Sequence, residues 1–281
     1  MVRVASDGVA LAVHEWPGKG GARKTVVGIH GLTANHRCWA PMVDVLTPAY
    51  RLVAYDLRGR GDSDKPTTGY SLATHGGDLA ALLDHLGLRS AVLAGHSLGA
   101  AIALRFAVDH PTRVRRLILI DGGLDVRAEV LDSLAPAIAR LGMEFPSLDT
   151  FLDRMRGLPM LAGRWNEALE DYFRYDVETL PSGAVRSKAA PAAIQEELRN
   201  IQRERLWTLH HRVRCPTLIL RAPDGLLTAT DCLMTGEEGQ AMAAAIPKGK
   251  LVEIPGTNHY TVLMGRHSRV RAAVRAFLRT R

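Results

Sequence analysis

The chain is 281 residues long, 47% hydrophobic and 23% charged, which excludes disordered and fibrous architectures and leaves enough chain to bury a core without staples. With six lysines, 30 of its 36 cations are arginine, and against 29 acids the net charge is +7. No recognition motif accompanies that charge and no run approaches 18 apolar residues, so neither a nucleic-acid nor a membrane partner is expected.

In chain order, apolar β-rich runs alternate with helix-like ones. The runs around Val2 and over residues 9–16 flank Ser6-Asp7-Gly8, a hairpin signal. Further runs cover residues 25–30, 50–56, 91–94, 117–120, 217–220 and 251–254. Their nearly continuous hydrophobicity predicts strands buried on both faces. The fold class is therefore α/β, with a mostly parallel eight-stranded sheet flanked by helices. Helices are predicted over 71–86, with Gly87 as the stop, and over 98–108, with Pro111 just beyond.

One interval breaks the alternation. Residues 122–213 carry no strong strand signal, only helix-like pieces at 128–141, 148–156, 165–173 and 191–209, punctuated by prolines. They read as a helical cap inserted into a core made of residues 1–121 and 214–281. At the C-terminus, Val270, Val274, Phe277 and Leu278 recur at helical spacing among Arg266, Arg269, Arg271, Arg275, Arg279 and Arg281. This pattern predicts a helix with a solvated basic face. Cys38, Cys215 and Cys232 have neither metal-ligand nor disulfide spacing, and no leader-like run precedes the first strand. The expectation is a soluble cytoplasmic protein with reduced thiols.

The sharpest motif is Gly95-His96-Ser97-Leu98-Gly99, between a predicted strand and a predicted helix. In that context a Gly-x-Ser-x-Gly stretch is a mechanical device: a tight turn pushes the serine hydroxyl out at the end of the sheet. Ser97 is the candidate nucleophile, and His96 beside it is expected to point elsewhere. A serine needs a base, and His259 follows the last strand-like run. For the acid, Asp224 lies after the run at 217–220 and is favoured. Asp121, at the end of the run at 117–120, is the alternative, and Asp231 is a weaker competitor. The loop His30-Gly31-Leu32-Thr33 offers the Leu32 N–H as an oxyanion donor, joined by the N–H of Leu98.

These residues, together with Asp56-Leu57-Arg58-Gly59-Arg60-Gly61-Asp62-Ser63, Cys215 to Leu220 and Asn258-His259, resemble the α/β-hydrolase superfamily over nearly the whole chain. The resemblance implies that Ser97, His259 and Asp224 are nucleophile, base and acid, with Leu32 and Leu98 as oxyanion donors. One departure is that Ala222-Pro223 stands where many members carry a Gly-containing turn. Some relatives place the acid where Asp121 sits, so the acid stays open between the two.

A serine nucleophile disfavours epoxide opening and dehalogenation and implies an acyl-enzyme that water hydrolyses. Neither metal nor cofactor is called for. The expected substrate is a small to medium apolar ester, lactone or thioester, since pockets under caps are mostly apolar. Two alternatives stand beside it: a C–C bond hydrolase of diketone-type ring-fission products, and a slow or inactive ligand-binding protein. Most of the aromatics in 122–213 are expected to pack the cap against the core.

Overall fold

A computed structural model describes residues 2–19, 24–228 and 231–279. The strands are β1 (Val2–Ser6), β2 (Val9–Trp16), β3 (Thr25–Ile29), β4 (Arg51–Tyr55), β5 (Ala91–His96), β6 (Val114–Ile120), β7 (Glu144–Phe145), β8 (Val177–Thr179), β9 (Val185–Ser187), β10 (Thr217–Arg221) and β11 (Gly249–Glu253). The helices are α1 (Ala40–Leu46), α2 (Leu72–His85), α3 (Leu98–Asp109), α4 (Ala128–Ala139), α5 (Leu148–Arg156), α6 (Glu167–Asp176), α7 (Pro191–Ile201), α8 (Gly236–Ala245), α9 (Thr261–Met264) and α10 (Ser268–Arg279).

Eight strands form one sheet in the order β1-β2-β4-β3-β5-β6-β10-β11, and only β2 runs against its neighbours. Asp7 and Gly8 take positive φ at the β1–β2 turn, as the hairpin signal required. β3, β5 and β10 are buried along their whole length, which is why they read as unbroken apolar runs. Successive side chains nonetheless serve opposite faces. Val27, Ile29, Leu93, Leu117 and Ile219 join the layer of α2, α3 and α8. Val26, Val92, Ala94, Ile118 and Leu220 join the layer of α1, α9 and α10.

After β3 the chain builds β4 on one side, then returns to build β5 on the other. Strand order therefore reverses between β3 and β5. The crevice beyond the carboxyl ends of the strands at such a reversal is where ligands bind in open α/β sheets. Both the Gly31-Leu32 loop and Ser97 emerge there.

Residues 122–213 lie between β6 and β10 and contain α4 to α7. They also contain a small antiparallel sheet in the order β7-β9-β8, which the sequence reading did not anticipate. Its strands are two or three residues long, too short to carry a period. The expected helix over 191–209 stops at Ile201, and a separate 3₁₀ turn spans Leu206–Arg212. Phe151, Tyr172 and Phe173 are buried and Trp165 stacks on Phe173 at 5.5 Å, whereas Trp207 is 63% exposed.

α10 buries Val270, Val274, Phe277 and Leu278, and Arg275 donates to the Val45 and Asp44 carbonyls, 2.9 Å each. Arg281 lies outside the described residues. Among the described residues no helix is long and apolar enough to cross a membrane.

Candidate active site

Ser97 sits between β5 and α3 with φ 57° and ψ −121°, a conformation costly for any residue with a Cβ. Its N–H is held by the Ile120 carbonyl at 3.1 Å, so the strained turn is tied to β6. α3 packs directly over β3, and a Cβ on Gly99 would run into the Ile29 carbonyl. That contact explains the second glycine of the motif.

His259 is 5% exposed, and its Nδ1–H donates to Asp121 Oδ2 at 2.8 Å. Asp121 is fully buried at the end of β6, and its Oδ1 accepts the Ala222 N–H at 3.1 Å. The structure therefore pairs His259 with the alternative acid candidate, Asp121, and not with the favoured one. Asp224 does not reach His259; it pairs with Arg164 of the inserted segment at 2.9 Å and is about one-third exposed. The short Ala222-Pro223 loop turns Asp224 outward while its N–H stays bound to the Thr257 carbonyl. Asp231 receives the N–H groups of Leu226, Leu227 and Thr228, a loop-closing arrangement.

The loop expected to supply the oxyanion donor is close-fitting. A Cβ on Gly31 would stand 3.1 Å from Ser97 Cβ, so the loop lies against Ser97. His30 fixes its start. The Leu57 N–H donates to His30 Nε2 at 2.9 Å, and His30 Nδ1–H donates to the Gly31 carbonyl at 2.8 Å. That pattern selects the neutral ring, and burial lowers the His30 pKa to about 4. Beyond it, Arg60 Nε donates to the Leu32 carbonyl at 2.9 Å, and Arg140 donates to the Thr33 carbonyl at 3.3 Å. Leu98 opens α3, so its N–H is among the first-turn donors that lack an intrahelical acceptor.

Two small cavities meet at Ser97 and share Leu32 and Leu134. The first, about 50 Å³, is walled by Leu98, Leu124, Asp125, Leu131, Leu198 and Ile201. The second, about 40 Å³, is walled by His259, Cys38, Ala137, Tyr172, Tyr260 and Met264. Among the described residues no Lys or Arg lines either one.

Several supporting residues escaped the sequence reading. His96 does not point away: its Nε2–H donates to the His259 carbonyl at 2.8 Å, and burial keeps it far below the usual histidine pKa. Asn258 accepts the N–H groups of Tyr260 and Thr261 and donates to the Met160 carbonyl at 2.7 Å, seating the histidine loop against the inserted segment. Asp56 accepts from His36, the Asp62 N–H and the Tyr175 hydroxyl. Burial pushes its carboxyl up, but the hydrogen bond and charge of His36 outweigh that and hold it at about 2. Its position at the head of the Asp56–Ser63 motif was visible; its partners were not. Among the described residues no group of three or more His, Cys, Asp or Glu is placed to hold a metal ion.

A sequence profile of the α/β-hydrolase fold matches residues 24–265. A RutD protein of Klebsiella pneumoniae, named for carbamate hydrolysis, is 31% identical over 261 residues, covering 89% of this chain and 88% of its own. The 2-(acetamidomethylene)succinate hydrolase of Mesorhizobium japonicum is 28% identical over 246 residues, covering 85% and 83%. A crystal structure of E-2-(acetamidomethylene)succinate hydrolase superposes with a TM-score of 0.86 at 26% identity, covering 99% and 98% of the two chains. The chain belongs to the α/β-hydrolase family and is a hydrolase of that fold.

Proposed function

We propose that the protein is a serine hydrolase of small, uncharged apolar carboxylic esters or lactones, working through Ser97, His259 and Asp121. The observation that carries this reading is the buried His259–Asp121 hydrogen bond opening onto the same cavity as the strained Ser97. His259 takes the Ser97 proton as Oγ attacks the acyl carbon. Asp121 holds the ring in the tautomer with hydrogen on Nδ1 and stabilises the imidazolium. The Leu32 and Leu98 N–H groups receive the carbonyl oxygen as it becomes an oxyanion. His259 then returns the proton to the departing alcohol, the carbonyl re-forms, and a water activated by the same histidine releases the acid.

Because the proton is returned by His259, the leaving group belongs in the second cavity, and the acyl chain in the first. Residues 122–213 act as the cap, contributing Leu134 to both cavities, Leu198 and Ile201 to the first, and Tyr172 to the second. With Asp125 in the acyl cavity and no Lys or Arg among the described residues lining either cavity, a carboxylate on the substrate has no cationic partner. That separates this chain from a relative named for a succinate.

The test is hydrolysis of p-nitrophenyl butyrate against its carboxylated analogue, p-nitrophenyl hemisuccinate, with fluorophosphonate labelling of Ser97. The butyrate should be preferred by about a hundredfold or more in kcat/KM, since an unpaired carboxylate in this site costs at least ~3 kcal/mol. Ser97→Ala should abolish turnover and labelling with the fold intact. Undiminished turnover in that variant, or an unlabelled wild-type serine, overturns the reading in favour of a ligand-binding protein.

A further inference from the structure

The Asp56–Ser63 loop contains two arginines, and they tie it to different neighbours. Arg58 forms a two-pronged pair with Asp78, 2.7 Å on each prong. Arg60, fully buried, reaches the site. Its Nε donates to the Leu32 carbonyl at 2.9 Å, one Nη to the Arg58 carbonyl at 2.9 Å, and the other to Glu197 Oε2. Glu197 is 1% exposed on α7, and its second oxygen lies 2.6 Å from His75 Nε2. Burial pushes the Glu197 carboxyl up, but the charges of Arg60 and His75 outweigh that and hold it below its ordinary value.

The same helix is stitched to this loop and to the segment that leads from it into α2. Ala190 N–H donates to the Gly59 carbonyl at 2.9 Å, and Glu196 Oε1 accepts the N–H groups of Gly69 and Tyr70 at 3.0 Å each. Asn200 donates to the Tyr70 carbonyl at 3.0 Å. α7 also supplies Leu198 and Ile201 to the first cavity. Arg60 thus joins α7, one of the helices walling that cavity, to the Leu32 carbonyl of the loop after β3.

We propose that Arg60 is a positioning residue for the oxyanion hole and that Glu197 holds it there, so that the Leu32 N–H is aimed only while α7 is seated. The Leu32 N–H shares a peptide plane with the Gly31 carbonyl, which His30 Nδ1–H holds, and Arg60 holds the next plane through the Leu32 carbonyl; with both planes pinned, the backbone rotation at Leu32 and the direction of its N–H are fixed. A planar guanidinium with donors on three sides can hold Leu32, Arg58 and Glu197 at once, which a lysine cannot do. This inference rests on the serine-hydrolase reading above.

The experiment compares p-nitrophenyl butyrate with its thiono analogue, in which sulfur replaces the carbonyl oxygen and accepts hydrogen bonds weakly. Wild type should prefer the oxygen ester strongly. In Arg60→Met and Glu197→Gln, kcat for the oxygen ester should fall by about a hundredfold for the arginine and about tenfold for the glutamine, scaled to loss of one oxyanion donor. KM should stay within about twofold, as for an interaction made only in the transition state. The oxygen-to-sulfur preference should shrink by the same factors as kcat.

Arg60→Met leaves Glu197 buried without its partner, so the double variant Arg60→Met/Glu197→Met, which removes both charges, keeps the test available if the single variant does not fold. It should show the same loss of oxygen preference. Equal losses on both esters, or an unchanged kcat, overturn the proposal. Fluorophosphonate labelling of Ser97 in wild type separates this outcome from failure of the hydrolase reading itself.

Discussion

Asp121 and Asp224 each follow an apolar strand and each precedes a glycine, so local sequence treats them alike. The difference lies in partners that no short window contains. Asp121 meets a histidine 138 positions away, and Asp224 meets an arginine 60 positions away. Asp121→Asn should leave the ring of His259 in the wrong tautomer and lower the acylation rate by about 10⁴-fold, as in other triads. Asp224→Asn should change it by no more than a few-fold, and stability by at most ~1 kcal/mol, since its ion pair with Arg164 is partly exposed. Single-turnover acylation of each variant, with circular dichroism to establish folding, decides the matter. Similar losses in both would remove Asp121 from the role. Ser97 and His259 were legible because their positions follow from mechanical rules about strand ends.

At the level of elements, β5, the turn at Ser97 and α3 form one device. The backbone at Ser97 adopts angles that glycine takes readily, and other residues only at a cost of order 1–3 kcal/mol. Ser97→Gly should therefore raise stability by about 1 kcal/mol, or roughly 2–4 °C in Tm, while abolishing turnover. Thermal unfolding of Ser97→Gly beside Ser97→Ala isolates the backbone contribution, because both lack the hydroxyl. A glycine variant no more stable than the alanine variant would mean that the turn carries no strain. The eight strands of the main sheet were visible because burial on both faces leaves long apolar runs. The small sheet β7-β9-β8 was invisible because its strands are held by pairing, not by pattern. Glu197 and Arg60 fall between these cases: the motif around Arg60 stood out, but its reach into α7 depends on how the inserted segment docks.

The whole molecule carries an acid sensitivity that follows from its buried histidines. His30 has an ordinary pKa near 6.5 and is lowered by burial to about 4, and His96 is lowered well below its ordinary value for the same first cause. Between those limits the unfolded chain binds protons that the folded chain refuses, so stability is complete above about pH 6.5 and declines as pH falls toward 4. His30 alone accounts for about 3 kcal/mol of that decline. Asp56, depressed to about 2, works the other way: its contribution is present above about pH 4 and is lost only below that. Urea unfolding should show a midpoint that drops steadily between pH 7 and pH 4.5. A flat profile over that range would contradict the neutral buried state of both rings.

The Asp121 carboxylate accepts an N–H from the residue just past β10, and the Asp121 N–H itself binds the Leu220 carbonyl. Asp121, the proposed acid, is therefore seated by the same pairing that zips β6 to β10, across an interval of nearly a hundred residues. During synthesis the serine and the acid leave the ribosome long before β10 and His259. On the proposed mechanism, a growing chain thus holds its nucleophile with neither the base nor a fixed orienting acid until the last third has docked. Hydrolytic competence arrives late and together with completion of the sheet, so a truncated or half-folded copy should be inert and not a slow, unselective esterase.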